Sequence, residues 1–212
     1  VSPTIAWGVA LTVTGLAATL GAEWAQRRSL LFVAKPAASL GFLVVAVGSG
    51  AWDSSYGRWI LVGLVLSLLG DVFLISRGPV QFQAGLVSFL LAHVAYAGSF
   101  LIAGVSASWA LVAGGVALAA AWVVVRWLLP HVEKDMRGPV LAYIGVISVM
   151  LSLAIGTLGA DRTALIAAGA ALFYISDLFV ARDRFVTPSF LNTLIGLPLY
   201  YLAQVLLALS VG

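Results

Sequence analysis

Two aspartates stand where an aspartate is costly. Asp71 interrupts the run LVLSLLGDVFLI and Asp177 the run ALFYISDLFV. An ionisable side chain inside an apolar helix costs several kcal/mol unless it faces a bundle interior or water, so each marks a candidate site. Two carboxyl groups held together out of water favour one protonated acid beside one ionised partner. That pair can perform general acid–base catalysis or relay protons. The alternative is two separately hydrogen-bonded aspartates that serve packing alone.

Other polar residues recur on helical faces. Gly85, Phe89, His93 and Tyr96 are spaced by four, four and three, which puts them on one face, with His93 a proton carrier and Tyr96 a donor. Lys35, just before Pro36, reads as a cation near the start of its helix. It either snorkels to the interface or waits there for a phosphate or carboxylate. Tyr200, Tyr201 and Gln204 form a polar step near the end of the chain, preceded by Asn192. These can orient the aspartates or a substrate, or bind helices together. Glu23, Asp53, Arg58, Asp161, Asp183 and the Glu133–Arg137 run read as solvated loop charges.

Several chemistries lack their residues. There is no cysteine and only His93 and His131 among histidines, so a zinc site is poorly supported and no metal or cofactor is expected. No Gly-x-Ser-x-Gly elbow and no phosphate-binding Walker loop occurs. No basic, aromatic-interleaved patch argues for nucleic acid. Acid–base chemistry on paired carboxylates, or ion and proton transport, remains.

The elements that must carry these residues are membrane helices. Of 212 residues 62% are hydrophobic and 9% charged, against about 25% charged in a soluble domain. Eight apolar stretches, each near the roughly 20 residues a crossing needs, fall at 3–22, 30–50, 58–76, 81–104, 107–129, 138–157, 162–181 and 189–210. The expected fold is an all-α polytopic bundle of eight transmembrane helices, one integral membrane domain over residues 1–212. Breaks lie at Glu23–Arg28, Trp52–Gly57, Arg77–Pro79, Ser106–Ser108, Pro130–Pro139, Gly159–Arg162 and Arg182–Pro188. Trp24, Trp52, Trp59, Trp109 and Trp127 cluster near these ends, as an interfacial belt would. The first twenty residues lack a basic n-region and read as a helix, not a signal peptide. The missing initiator Met suggests processing or trimming.

Basic residues sort by side. Arg27, Arg28, Lys35, Arg77, Arg126, Lys134, Arg137, Arg182 and Arg184 belong to the first, third, fifth and seventh connections, and only Arg58 and Arg162 to the other side. The positive-inside rule then makes the first group cytoplasmic and both termini non-cytoplasmic, in what is expected to be a bacterial inner (plasma) membrane. Asp71 and Asp177 each lie five or six residues before a cytoplasmic-side arginine, roughly 8–9 Å below the basic rim at 1.5 Å per residue. Their separation is half the chain, and GDVFLISR and SDLFVARD share Asp-x-Phe. Chance explains this echo as readily as duplication. A true repeat would make two parallel four-helix halves.

The ordered set Lys35-Pro36, Gly70-Asp71, Gly85-Leu86-Val87-Ser88-Phe89 with His93 and Tyr96, Gly169-Ala170 with Phe173 and Ser176-Asp177, and Tyr200-Tyr201 with Gln204 resembles the YhhN-type lysoplasmalogenase family of integral membrane hydrolases over nearly the whole chain. The resemblance implies cleavage of the vinyl ether bond of a lysoplasmalogen, giving a fatty aldehyde and a glycerophospho-choline or -ethanolamine. It implies Asp71 and Asp177 as the catalytic pair. The expected partners are a lysophospholipid substrate and membrane lipids, with oligomeric state left open. His93, Tyr96 and Gln204 would position water or the ether oxygen, and Lys35 would hold the head-group phosphate at the rim. A small proton-coupled transporter using Asp71 and Asp177 as its relay is the alternative, and a non-catalytic lipid-binding protein a third.

Overall fold

The computed structural model describes residues 2–76 and 78–212. Arg77, counted above with the basic rim and the Arg77–Pro79 break, lies outside the described residues. Eight helices cover most of the rest: α1 (Pro3–Trp24), α2 (Arg28–Gly48), α3 (Ser55–Ile75), α4 (Pro79–Ala103), α5 (Ala107–Leu128), α6 (Lys134–Leu158), α7 (Ala164–Ala181) and α8 (Phe190–Leu209). All eight are long and apolar enough to cross a bilayer. The chain is an all-α integral membrane protein.

Local chemistry sets the boundaries. Ser2 caps α1 by accepting from the Ile5 amide at 3.3 Å, with Pro3 in the first turn, where its missing N–H is no loss. Ser54 caps α3 through the Gly57 amide at 3.0 Å, and Ser189 caps α8 through Leu191 at 3.2 Å. Gln26, at φ 55°, turns the chain out of α1 so that α2 starts two residues later. The fifth connection differs from the expectation. The Pro130–Pro139 segment is not all loop: a 3-10 turn spans Leu129–His131 and α6 begins at Lys134. Pro139 is the sixth residue of α6, where its missing N–H leaves the Asp135 carbonyl without its intrahelical donor, while the Asp135 side chain sits favourably in the positive first turn. Lys134 and Arg137 are therefore helical residues.

The helices form four antiparallel hairpins, α1–α2, α3–α4, α5–α6 and α7–α8. Six of them close a ring in the order α2, α3, α4, α6, α7, α8 and back to α2, while α1 packs outside on α2 and α8, and α5 outside on α6. The pairings repeat between halves: α1–α2 matches α5–α6, α2–α3 matches α6–α7, α3–α4 matches α7–α8, and α4–α6 matches α8–α2. The outer helices show why they sit outside. α5 buries only Ala113, Ala117 and Leu128, and turns Leu111, Val112, Val116, Leu118 and Trp122 outward. α1 approaches α2 closely because both carry small residues there: a Cβ on Gly15 would stand 2.6 Å from the Ala38 amide nitrogen. The centre of the ring is filled by Phe42, Tyr96, Phe100, Met150, Phe173 and Tyr201, all fully buried.

Candidate intramembrane active site

Between the ring helices lies a cavity of about 460 Å³, and Asp71 and Asp177 both line it. That volume suits a small molecule or part of a lipid. Each aspartate stands four residues before the end of its helix, α3 ending at Ile75 and α7 at Ala181. Because α3 and α7 run the same way, the two carboxylates reach the cavity from the same end of the bundle. Leu74, Leu86, Val124, Leu128, Ile144 and Ile147 give the cavity an apolar wall.

The two carboxylates have different surroundings. Asp71 is sealed, its side chain 3% exposed. Its Oδ2 accepts from Ser39 Oγ and from the Tyr200 hydroxyl, each at 2.7 Å, and its Oδ1 lies 3.6 Å from the Lys35 ammonium. Every neighbour in this set donates, so the shell is built for an anion. Asp177 is more accessible, with 17% of its side chain exposed. Its Oδ2 accepts from the Tyr143 hydroxyl at 2.6 Å and lies 3.8 Å from His93 Nε2.

The His93 tautomer follows from its other nitrogen. Nδ1 is 2.6 Å from the Phe89 carbonyl, which can only accept, so Nδ1 carries hydrogen. Nε2 is buried without a hydrogen-bond partner among the described residues. In the neutral ring it presents a lone pair to a carboxylate oxygen, and two acceptors repel. One proton, on either Asp177 or Nε2, makes the pair compatible. Asp177 thus faces an imidazole nitrogen that a single proton would reconcile with it, whereas Asp71 is held by fixed donors.

Aromatic rings separate the two networks. Phe173 packs against His93 at 4.5 Å and against Tyr200 at 5.3 Å, and Phe89 meets Tyr200 at 5.8 Å. Gly70 lets Phe89 lie against α3, since a Cβ there would come within 2.6 Å of the ring. Behind Tyr200, the Tyr96 hydroxyl donates to Gln204 Oε1 at 2.7 Å. Tyr201 approaches the Ser39 hydroxyl and the Lys35 carbonyl, both at 3.5 Å.

Lys35 and Asn192 each take one of the alternatives left open by the sequence. Lys35 does not snorkel, and the group it meets is a carboxylate. It is the eighth residue of α2, roughly 10 Å into the helix at 1.5 Å per residue, and its ammonium is occupied by Asp71. Asn192 lines the cavity but is tied into the α7–α8 turn: Oδ1 accepts from Arg182 at 2.8 Å, and Nδ2 donates to the Thr187 carbonyl at 2.9 Å and to Asp183 Oδ1 at 3.1 Å. Asp183 also accepts from the Ser189 amide at 2.8 Å, so it fastens the start of α8 instead of standing free in solvent. Arg182–Val186, expected as loop, continues α7 as a π-helical turn. Glu23, also read as a loop charge, belongs to the last turn of α1 and lines the cavity.

Tyr143 and Ser39 are the site residues that sequence reasoning missed. Ser39 had a signal, since it follows Lys35 by one turn and shares its face. Tyr143 had a weaker one: α6 occupies in the second half the place that α2 holds in the first, and each lends the neighbouring aspartate a partner.

The fold and cavity together define a polytopic membrane protein with a buried polar site on an apolar-walled cavity. Residues 30–211 match the YhhN family, and the chain belongs to it. It is 33% identical over 202 residues to a Mycobacterium tuberculosis protein named lysoplasmalogenase, covering 93% of this chain and 75% of that one. A Bos taurus protein named Lysoplasmalogenase TMEM86A is 32% identical over 157 residues, covering 71% of this chain. The match spans 64% of that relative's length. No solved structure matches the chain.

Proposed function

We propose that the protein is an intramembrane hydrolase that cleaves the vinyl ether bond of a lysoplasmalogen, with Asp177 as the acid and Asp71 as a fixed anion. The observation that carries this reading is the unequal wiring of the two carboxylates on one cavity: three donors on Asp71, and a hydroxyl plus an imidazole on Asp177. The relatives' name, lysoplasmalogenase, supports a lysoplasmalogen as the substrate.

Vinyl ether hydrolysis needs those two roles. A proton moves from the Asp177–His93 pair to the alkene carbon remote from oxygen, leaving an oxocarbenium ion. The Asp71 carboxylate stabilises that cation, as the second carboxylate does at oxocarbenium-like transition states in glycosidases. Water adds to the carbon bonded to oxygen and returns a proton to Asp177. The hemiacetal then collapses: its C–O bond to glycerol breaks, the glycerol oxygen takes a proton, and the hemiacetal hydroxyl loses one. One water is consumed, and an aldehyde and an alcohol are released. Tyr143 holds Asp177 in place, and Tyr200 and Ser39 hold Asp71. The hydrocarbon chain occupies the apolar wall between α3, α4, α5 and α6.

The test is aldehyde release by purified protein in detergent. The parent protein should convert lysoplasmalogen to aldehyde, and in deuterium oxide the product should carry one deuterium on the carbon next to the carbonyl. Asp71→Asn and Asp177→Asn should each abolish release while the protein stays folded. Activity retained in either variant removes the two-carboxylate mechanism. Proton-coupled uptake into liposomes without lipid cleavage would favour the transporter instead.

A further inference from the structure

The mouth of the cavity holds a cation and an anion that the bond-breaking step does not use. Arg184 is exposed and lines the cavity, and its guanidinium lies 4.3 Å over the ring of Phe82. Phe82 is itself fixed by an edge-on contact with Phe185 at 5.6 Å. Stacking of this kind orders a long side chain before a ligand arrives, which lowers the cost of binding. Arg184 has no carboxylate within ion-pair distance among the described residues. Its planar donors are therefore unused at an exposed edge of the cavity lining, and a guanidinium matches a phosphate in shape.

Glu23 lines the same cavity from the last turn of α1. An acid there faces the negative end of the helix dipole, so its position is unfavourable until a cation comes near. It too has no ion pair among the described residues. The end of α1 is held against the start of α8 by the edge contact of Trp24 with Phe190 at 4.9 Å. Arg184, by contrast, is pinned to the start of α4 through Phe82. A positive and a negative group thus line one cavity from different elements, the Arg182–Val186 turn and the end of α1. Lys35, buried two turns down and occupied by Asp71, is not placed to serve this role.

We infer that the cavity mouth is a subsite for a zwitterionic phosphodiester head group, with Arg184 binding the phosphate and Glu23 facing the terminal ammonium. This rests on the hydrolase reading for the ligand and deepens it by naming the residues that hold its head group. It also fixes the direction of entry: the head group stays at the opening with loops one, three, five and seven, and the chain points inward past Asp71 and Asp177.

The test measures binding, not turnover, so that it does not depend on the chemistry. Saturated 1-O-alkyl glycerols, whose ether has no double bond to protonate, are titrated into the full-length protein in nanodiscs. Three head groups are compared: phosphoethanolamine, phosphate alone, and the free hydroxyl. The parent protein should bind them in that order of decreasing affinity. Arg184→Gln should weaken both phosphate-bearing ligands about tenfold, the loss of one charge-assisted contact, and leave the uncharged one unchanged. Glu23→Gln should weaken only the phosphoethanolamine ligand. Equal affinities for all three in the parent, or an Arg184→Gln protein that keeps the parent's preference, would overturn the subsite. So would a loss shared equally by all three ligands. Loss of aldehyde release with the binding pattern intact would count against the hydrolase reading alone.

Discussion

Replacing Lys35 by Met asks whether the buried ion pair builds the site. Its ammonium lies 3.6 Å from Asp71 Oδ1, with the two side chains 9% and 3% exposed. Unit charges at that separation attract by about 4–5 kcal/mol at an effective dielectric constant of about 20. Breaking a buried pair by removing one member costs about 3–5 kcal/mol. Lys35→Met belongs at the lower end, about 3 kcal/mol, because Ser39 and Tyr200 still donate to Asp71 at 2.7 Å. Asp71→Asn leaves an ammonium without a counter-charge and should cost a similar amount, about 3 kcal/mol. The double variant carries no stranded charge. It should lose only about 2 kcal/mol, chiefly from weaker hydrogen bonds at the amide, which makes the coupling about 4 kcal/mol. The assay is equilibrium unfolding of the four proteins in mixed micelles of increasing SDS fraction, followed by tryptophan fluorescence. Additive single losses, with a coupling below about 1 kcal/mol, would refute the pair as a structural element. Aldehyde release should be absent from all three variants. A double variant that regains stability without activity separates the carboxylate's chemical role from its packing.

Two further perturbations probe the rest of the site. Tyr143→Phe removes the hydroxyl 2.6 Å from Asp177 and little else, so kcat should fall about 10–100-fold with KM unchanged; a rise in KM at constant kcat would show that Tyr143 contacts substrate instead. Gly70→Val pushes a branched side chain against Phe89, whose ring would stand 2.6 Å from the new Cβ. Overpacking should cost about 1–3 kcal/mol and lower activity through displacement of Tyr200, which Phe89 abuts at 5.8 Å. Unchanged unfolding would contradict so close an approach of α3 and α4.

Much of the fold was legible because lipid imposes a simple rule. Long apolar runs must be helices, and charges or turn residues must end them. Seven of the eight helices start within three residues of the expected positions; α6 starts four early, because Pro139, a proline inside the helix, was read as a stop. Asp71 and Asp177 stood out for the same reason: the bilayer makes a buried carboxylate conspicuous. Their partners were harder to see. Hydroxyls such as Ser39 and Tyr143 are inexpensive in membrane helices and look like ordinary packing residues. Lys35 was legible as a cation for a carboxylate, but its depth was not: from a stretch beginning at residue 30 it lies near the helix start, whereas α2 begins at Arg28 and carries it two turns inward. Arg184 and Glu23 were hidden for a different reason. A charge at a helix end is common, and only the three-dimensional path of the cavity separates a mouth residue from a solvated one.

The repeated pairing of helices explains how one scaffold yields two unlike carboxylates. In the first half α3 presents Asp71, the preceding helix α2 supplies Lys35, and α8 of the other half supplies Tyr200. In the second half α7 presents Asp177, the preceding helix α6 supplies Tyr143, and α4 of the other half supplies His93. The helices that surround each aspartate thus correspond, and only the side chains differ. A lysine at the α2 position fixes a charge, whereas a tyrosine at the α6 position supplies a neutral donor. A tyrosine on α8 can only donate to the anion it touches, whereas a histidine on α4 can take the proton or give it up. Exchanging these residues, not moving any helix, is what gives the two acids unlike surroundings, the difference on which the proposed roles of fixed anion and proton donor rest.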